Sequence, residues 1–290
     1  MSGSITSVFG DSADFAAALR PVGVSTLLLT GQGRFRARLT QVTLHRLRLV
    51  AAEEKLPRIA FVVLPADMVL VAFPLGRRHS PIWGGRTSAA GEIVTFGPRQ
   101  RLHARTAGPS HWAAVLLRCD DLVGYGRALS GAEPIIPPAA GWRPPPPAVQ
   151  QLQRLHRAAI RMAETRSASL ADAEAAHGLE QLLIHAVVEC MSAGVAEREP
   201  PAVSRDRDLL ARFEDKLRIG SPLRVADICA TLGVSQPVLR RRCREHLGIS
   251  PSRYLRLHKQ VSRPSGSGPG LSGPDPVYSG SDLCKIFVKG

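Results

Sequence analysis

The sequence predicts an α+β fold: an amino-terminal antiparallel β-barrel domain, then helices, then a carboxy-terminal all-α domain. Three observations carry this. Short β-rich runs broken by Gly, Pro and polar clusters fill the stretch from Val24 to Leu117. Apolar residues recur at helical spacing beyond Val149. Two short helical segments flank Gly233, after a charged, proline-containing boundary. At 290 residues the chain suits two domains, each able to bury its own core. Apolar residues make up 44% and charged residues 21%, so most of the chain should fold.

The β runs are Ser25 to Thr30, Gly33 to Thr40, Val42 to Val50, Ile59 to Leu64, Val69 to Pro74, Glu92 to Phe96 and Trp112 to Leu117. In the second, Phe35, Ala37 and Leu39 alternate with Arg34, Arg36 and Arg38, the period of a strand with one wet face. Those arginines are expected in solvent. Prolines crowd the stretch from Glu133 to Pro147 around Trp142. Proline has no backbone N–H to give a sheet or helix interior, so this reads as a connector. The β domain is assigned to residues 20–147.

Leu152, Leu155, Ala159 and Met162 fall at helical spacing, and so do Leu179, Leu183, Ala186, Val187 and Cys190. Their stripes suit packing on the β domain or on a second subunit, and periodicity alone does not choose. Residues 148–197 are read as a helical segment able to support a homodimer. Glu197 to Arg207, with Pro200 and Pro201, has the composition of a domain boundary. A second domain over 205–260 should begin near Asp206. Its opening helix carries Leu209, Leu210, Phe213 and Leu217, and Gly220 with Pro222 ends it.

Val225 to Thr231 reads as a short helix with Ile228 and Leu232 turned inward. Gly233 breaks it where a tight turn needs a positive φ, and Ser235 can cap the next helix. Pro237 there forfeits only an N–H that had no partner. Leu239 and Cys243 lie four apart on the buried face, which leaves Gln236, Arg240, Arg241 and Arg244 outside. Such a cationic helix fits the major groove of double-stranded DNA, where Arg can bond guanine and Gln adenine. The formal net charge of +14 points to a polyanionic partner as well. A helical hairpin with a solvated basic side is the alternative reading.

Leu223-Arg-Val-Ala-Asp-Ile-Cys-Ala-Thr-Leu-Gly-Val-Ser235 resembles the first helix-turn-helix of AraC/XylS-type transcription regulators, and the likeness continues through Leu239, Arg241, Gly248-Ile-Ser-Pro251 and Tyr254-Leu255-Arg256. Gly91-Glu-Ile-Val94 and His103 to Trp112 resemble the cupin-like β-barrel effector domain of one branch. The resemblance implies sequence-specific DNA binding, with Pro237, Arg240 and Arg241 at base edges, Gln236 and Arg244 near the backbone, and Ser235 starting the reading helix. It also implies a small-molecule effector of unspecified chemistry. Cys243 stands where the family pattern has a large apolar residue. By the same resemblance a second helix-turn-helix should follow the helix that begins at Tyr254, but the sequence gives way to Gly, Pro and Ser there, so the all-α domain is expected to be incomplete at its C-terminus. A disordered tail over 261–290 is expected. The alternative function is therefore a truncated, DNA-binding-impaired regulator that acts only as a dimerisation partner.

Catalysis is not expected. His45, His79, His103 and His111 sit on separate elements with no paired ligand spacing, so neither a metal nor a catalytic set is assigned. Gly84-Gly85 and Gly31-Gln-Gly33 lack phosphate-loop spacing, so no cofactor is implied. The cysteines Cys119, Cys190, Cys229, Cys243 and Cys284 form no CxxC pair. With no signal segment visible, and with charged and polar groups inside the most apolar stretch, Leu179 to Val195, the expectation is a cytoplasmic protein without a membrane span.

Overall fold

The computed structural model describes residues 2–76, 79–131, 133–134, 136–165, 170, 172–218 and 224–261. The strands are β1 (Gly3–Phe9), β2 (Val24–Leu29), β3 (Ala37–Thr43), β4 (Leu47–Glu54), β5 (Arg58–Val63), β6 (Met68–Pro74), β7 (Ile82–Trp83), β8 (Arg86–Thr87), β9 (Ile93–Phe96), β10 (Arg101–Arg105), β11 (Ser110–Arg118), β12 (Ala139–Arg143) and β13 (Val195–Arg198). The helices are α1 (Ser12–Ala18), α2 (Cys119–Ser130), α3 (Pro146–Thr165), α4 (Ala173–Ala193), α5 (Pro201–Arg218), α6 (Val225–Leu232), α7 (Gln236–Leu247) and α8 (Pro251–Val261).

An eight-stranded sheet has the order β1-β3-β4-β11-β6-β9-β12-β13, and a five-stranded sheet the order β2-β5-β10-β7-β8. All of their pairings are antiparallel. The expected mixed fold is present, but the barrel is not: the two sheets stack face to face, and no strand pairing closes one onto the other among the described residues. Strand alternation explains how they stack. On β6, Met68, Leu70 and Ala72 face the other sheet, whereas Val69, Val71 and Phe73 face away. On β11, Trp112, Ala114 and Leu116 divide from Ala113, Val115 and Leu117 in the same way. Both strands are apolar on both faces because both faces of this sheet are covered.

The second cover is α3 and α4. Leu152 and Ala159 of α3, with Leu183, Ile184, Val187 and Cys190 of α4, pack on Val69, Val71, Phe73 and Val115. Leu183 and Val187 are fully buried, so their stripe is used within the chain and is not available to a second subunit. The proline-rich stretch read as a connector holds β12, which continues the large sheet beside β9. Cysteine adds no cross-link among the described residues: Cys119, Cys190, Cys229 and Cys243 are free thiols.

The small sheet also serves two neighbours. Leu27, Ala60, Val62, Leu102 and Ala104 face the large sheet, while Leu28 and Ile59 belong to the core of the carboxy-terminal helices. That core holds Leu209, Leu210 and Phe213 of α5, Ile228 and Leu232 of α6, Leu239, Cys243 and Leu247 of α7, and Tyr254 and Leu255 of α8. The protein is thus layered as helices, large sheet, small sheet, helices. The tail expected over 261–290 lies outside the described residues except for Val261, the last residue of α8, and so do Gly220 and Pro222.

Candidate nucleic-acid interface

α5 begins at Pro201, ahead of the Asp206 expected from the sequence, and lays Leu210 and Phe213 into the core. α6 follows, its entry fixed by the Arg224 backbone N–H donating to Asp227 Oδ2 at 3.1 Å. Gly233 ends α6 with φ +68 and ψ 32, the left-handed conformation that the turn requires and glycine adopts without a Cβ penalty. Val234 N–H closes the turn on Cys229 O at 3.1 Å. α7 then starts at Gln236 with Pro237 in its first turn. Ser235 occupies the N-cap with extended backbone, but its hydroxyl makes no capping bond, contrary to expectation.

On α7 the residues Leu239, Cys243, His246 and Leu247 are buried, and Gln236, Pro237, Arg240, Arg241 and Arg244 are exposed. The helix period therefore brings the expected reading residues to one solvent face, with Ser235 exposed at its start. Arg242 lies off that face: its guanidinium bonds Asp206 at 2.8 Å and Glu245 at 3.0 Å. Burial drives the Cys243 thiol up to about 12, so it sits in the core as a neutral apolar group.

Asp206, Glu245 and His246 bring one ligand atom each within 4.8 Å of the others. Arg242 already supplies both carboxylates with a covalently attached cation, so the trio reads as an ion-pair network. Burial pushes the His246 imidazole below its usual pKa, and Asp206 at 3.5 Å opposes that shift. No other group of three such residues has all its ligand atoms within that distance of one another among the described residues, and His45, His79, His103 and His111 form no such group.

The residues that the sequence reading missed join the helix-turn-helix to the small sheet. Glu214 of α5 is fully buried and accepts from the Tyr254 hydroxyl of α8 at 2.5 Å. His103 of β10 approaches the same hydroxyl at 3.2 Å and Glu214 at 3.7 Å, and His258 approaches Glu214 at 3.4 Å. Burial opposes ionisation of Glu214, but the imidazoles of His103 and His258 and the Tyr254 hydroxyl beside it outweigh burial and hold its carboxyl well below the ordinary range. Beside this cluster, Arg101 bonds Asp215 at 2.5 Å and Ala211 O at 2.8 Å. The available signal was alternation: Arg101, His103 and Arg105 alternate with the buried Leu102 and Ala104, which marks a strand with a polar face.

Residues 217–256 match the family of bacterial regulatory helix-turn-helix proteins of the AraC type. That span runs from the end of α5 into α8 and includes the whole of α7. No curated protein matches the chain. Among solved structures, the AraC-like transcriptional activator CuxR is 15% identical, with a TM-score of 0.48, over 89% of this chain and 94% of its own. An apo form of ToxT from Vibrio cholerae is 12% identical, with a TM-score of 0.35, over 74% of this chain and 80% of its own. Its wild type with unsaturated fatty acid bound is 12% identical, with a TM-score of 0.31, over 74% and 78%. The functional reading rests on the family match and on the helix geometry.

Proposed function

We propose that this chain is a sequence-specific transcription regulator that reads the major groove of double-stranded DNA with α7. One observation carries the reading. Inside the 217–256 family match, Gln236, Arg240, Arg241 and Arg244 share an exposed face while the opposite face is locked into a core. A rigid helix with donors on one side can present Arg to guanine O6 and N7 and Gln to adenine N6 and N7. Arg244, in the last turn, would take a phosphate, and the net charge of +14 favours a polyanion at long range. The β domain, joined to this helix set through β10, is the natural seat for an effector. A cytoplasmic setting follows from the same role; no helix of the described residues is long and apolar enough to cross a membrane.

The test is selection of a preferred duplex from a random pool, followed by binding of Arg240→Ala and Arg241→Ala variants to that duplex and to random DNA. Each lost bidentate contact should weaken the selected site by about 1 to 3 kcal/mol and relax the preference at one base pair, with little change on random DNA. Equal losses on both DNAs would reassign these arginines to phosphates. Failure to enrich any sequence would remove the reading.

A further inference from the structure

We propose that a rim of cations on the β domain, continuous with the reading helix, forms a second DNA-contact site that takes the phosphates flanking the bases read by α7; this rests on the function proposed above. The site is assembled where one end of the small sheet meets the turn between α7 and α8. β2 finishes beside the start of β5, with Leu29 opposite Arg58, and Arg105, at the end of β10, lies opposite Ile59. Two contacts bring the helix-turn-helix to that end. A Cβ placed on Gly248, the residue that closes α7 at φ +73, would meet Arg105 Nη1 at 2.9 Å. Arg253, in the first turn of α8, donates to Thr30 O at 2.6 Å.

The chain beyond Thr30 then runs through Arg34 and Arg36, and the Lys55 backbone N–H donates to Arg36 O at 3.1 Å. Arg34, Arg36, Lys55 and Arg253 are all exposed and Arg105 is half-buried. None of these five has a carboxylate within ion-pair distance among the described residues. The same holds for Arg240, Arg241 and Arg244 on α7, whereas Arg38, Arg46, Arg101, Arg143, Arg207 and Arg242 each have one. Nearby carboxylates are committed or turned away. Glu54 is buried against Arg58, and strand alternation on β4 puts Glu53 on the side of Leu47 and Leu49, towards α3. On the other side, Arg244 is one helical turn from Gly248, whose N–H donates to Arg244 O at 3.1 Å. Unpaired cations therefore run from the exposed face of α7 across the α7–α8 turn to the β domain.

Contiguity decides the occupant. A patch that begins on a base-reading helix and carries uncommitted positive charge fits the next stretch of the same duplex, because the backbone offers a phosphate every few ångströms along its axis. Such contacts add affinity and orientation without base preference.

The experiment compares the full chain with an Arg34→Ala, Arg36→Ala, Lys55→Ala variant. All three side chains are in solvent, so folding should survive. The α7 variant Arg240→Ala, Arg241→Ala serves as the contrast. Binding is measured over a salt series on the selected duplex trimmed to its preferred bases and on the same duplex extended by about one helical turn, roughly 10 bp, at each end. The rim variant should lower the slope of log affinity against log salt by about 2 to 3 on the long duplex, leaving the short duplex and the base preference unchanged. The α7 variant should lose base preference on both. If the rim variant keeps the parent's slope and affinity on the long duplex, the rim site is wrong while the reading function stands. If the parent prefers no sequence, the function and the site fall together. Rim-dependent retention on phosphatidylserine vesicles, with no effect on duplex binding, would assign the patch to anionic lipid and overturn the proposal.

Discussion

The small sheet has two faces of opposite chemistry, and each carries a different job. Its inner face meets the large sheet through Leu27, Ala60, Val62, Leu102 and Ala104, an apolar packing with one buried ion pair, Arg58 on Glu54, where the chain crosses between the sheets. Its outer face meets the helix-turn-helix through Leu28 and Ile59, but also through Arg101 on Asp215 and His103 on Tyr254 and Glu214. An apolar contact tolerates sliding; a buried carboxylate with three fixed partners does not, because any displacement leaves a polar group unpaired. The inner face holds the β domain together, and the outer face fixes the orientation in which α7 is carried.

That contrast breaks first at the crossing between sheets. β4 belongs to the large sheet and β5 to the small one, and the turn between them is pinned by Arg58 on Glu54, with Nε–Oε2 at 2.9 Å and Nη2–Oε1 at 3.0 Å. Trp112 Nε1 donates to the same carboxylate at 2.6 Å. Glu54→Ala leaves a fully buried guanidinium without its charge partner, a loss of about 3 to 5 kcal/mol. Thermal or urea unfolding should show the β domain destabilised by that amount. A loss under 1 kcal/mol would mean that the hydrocarbon on either side holds the crossing without the pair.

Acid sharpens the comparison. His156 of α3 is fully buried against the large sheet, with Nε2 at 3.1 Å from Val50 O, and burial lowers its pKa to about 4. The unfolded chain takes up this proton near pH 6.5 and the folded chain only near 4, so stability present above 6.5 drains away between those values and is flat below them. The gap corresponds to roughly 3 kcal/mol. Glu214 behaves differently: its carboxyl is held low, so its contribution is intact above the ordinary carboxylate range and fades only as pH falls through its lower folded value. Between pH 6.5 and 4.5 the His156 loss should appear in the wild type and vanish in His156→Gln. A wild type and variant with parallel pH profiles would place the His156 proton elsewhere.

Less is at stake in a single hydroxyl. Tyr254→Phe removes the donor to Glu214 and the contact with His103 while keeping the ring, at a cost of about 1 to 3 kcal/mol. Hydrogen exchange should quicken in α5 and α8 and leave β6 and β11 protected. Uniform quickening in all four would show that the two faces of the small sheet unfold as one unit.

Local signals made the helix-turn-helix legible. The Gly233 turn, Pro237 and the spacing of Leu239 and Cys243 all act within a few residues of each other. Its docking was not legible, because His103 and Tyr254 are 151 residues apart and Tyr254 and Glu214 are 40 apart. β10 hid for a related reason: Arg101, His103 and Arg105 look like loop chemistry until a polar partner is known to cover them. Sandwich and barrel share one strand pattern and differ only in whether distant edges pair, which alternation does not report. β12 was masked by the prolines that bracket it, although Ala139 to Arg143 contains none.

The smallest effect is expected at the residue that looked most like a structural signal. Ser235 stands at the N-cap of α7, where Ser usually accepts from a backbone N–H of the first turn and its loss costs about 1 kcal/mol. Here the hydroxyl makes no such bond. Asp11, at the N-cap of α1, accepts from Ala13 N at 2.7 Å and Asp14 N at 3.2 Å. The start of α7 is secured by other means: Leu239 N–H on Ser235 O at 3.1 Å, Pro237 with its preset φ, and the buried Leu239. Ser235→Ala should therefore change stability by less than about 0.5 kcal/mol, while Asp11→Ala costs about 1. If the exposed Ser235 hydroxyl is held for a DNA phosphate, Ser235→Ala should weaken selected and random duplexes alike and leave the melting temperature in place. A stability loss matching that of Asp11→Ala would show that the hydroxyl does cap α7 in solution.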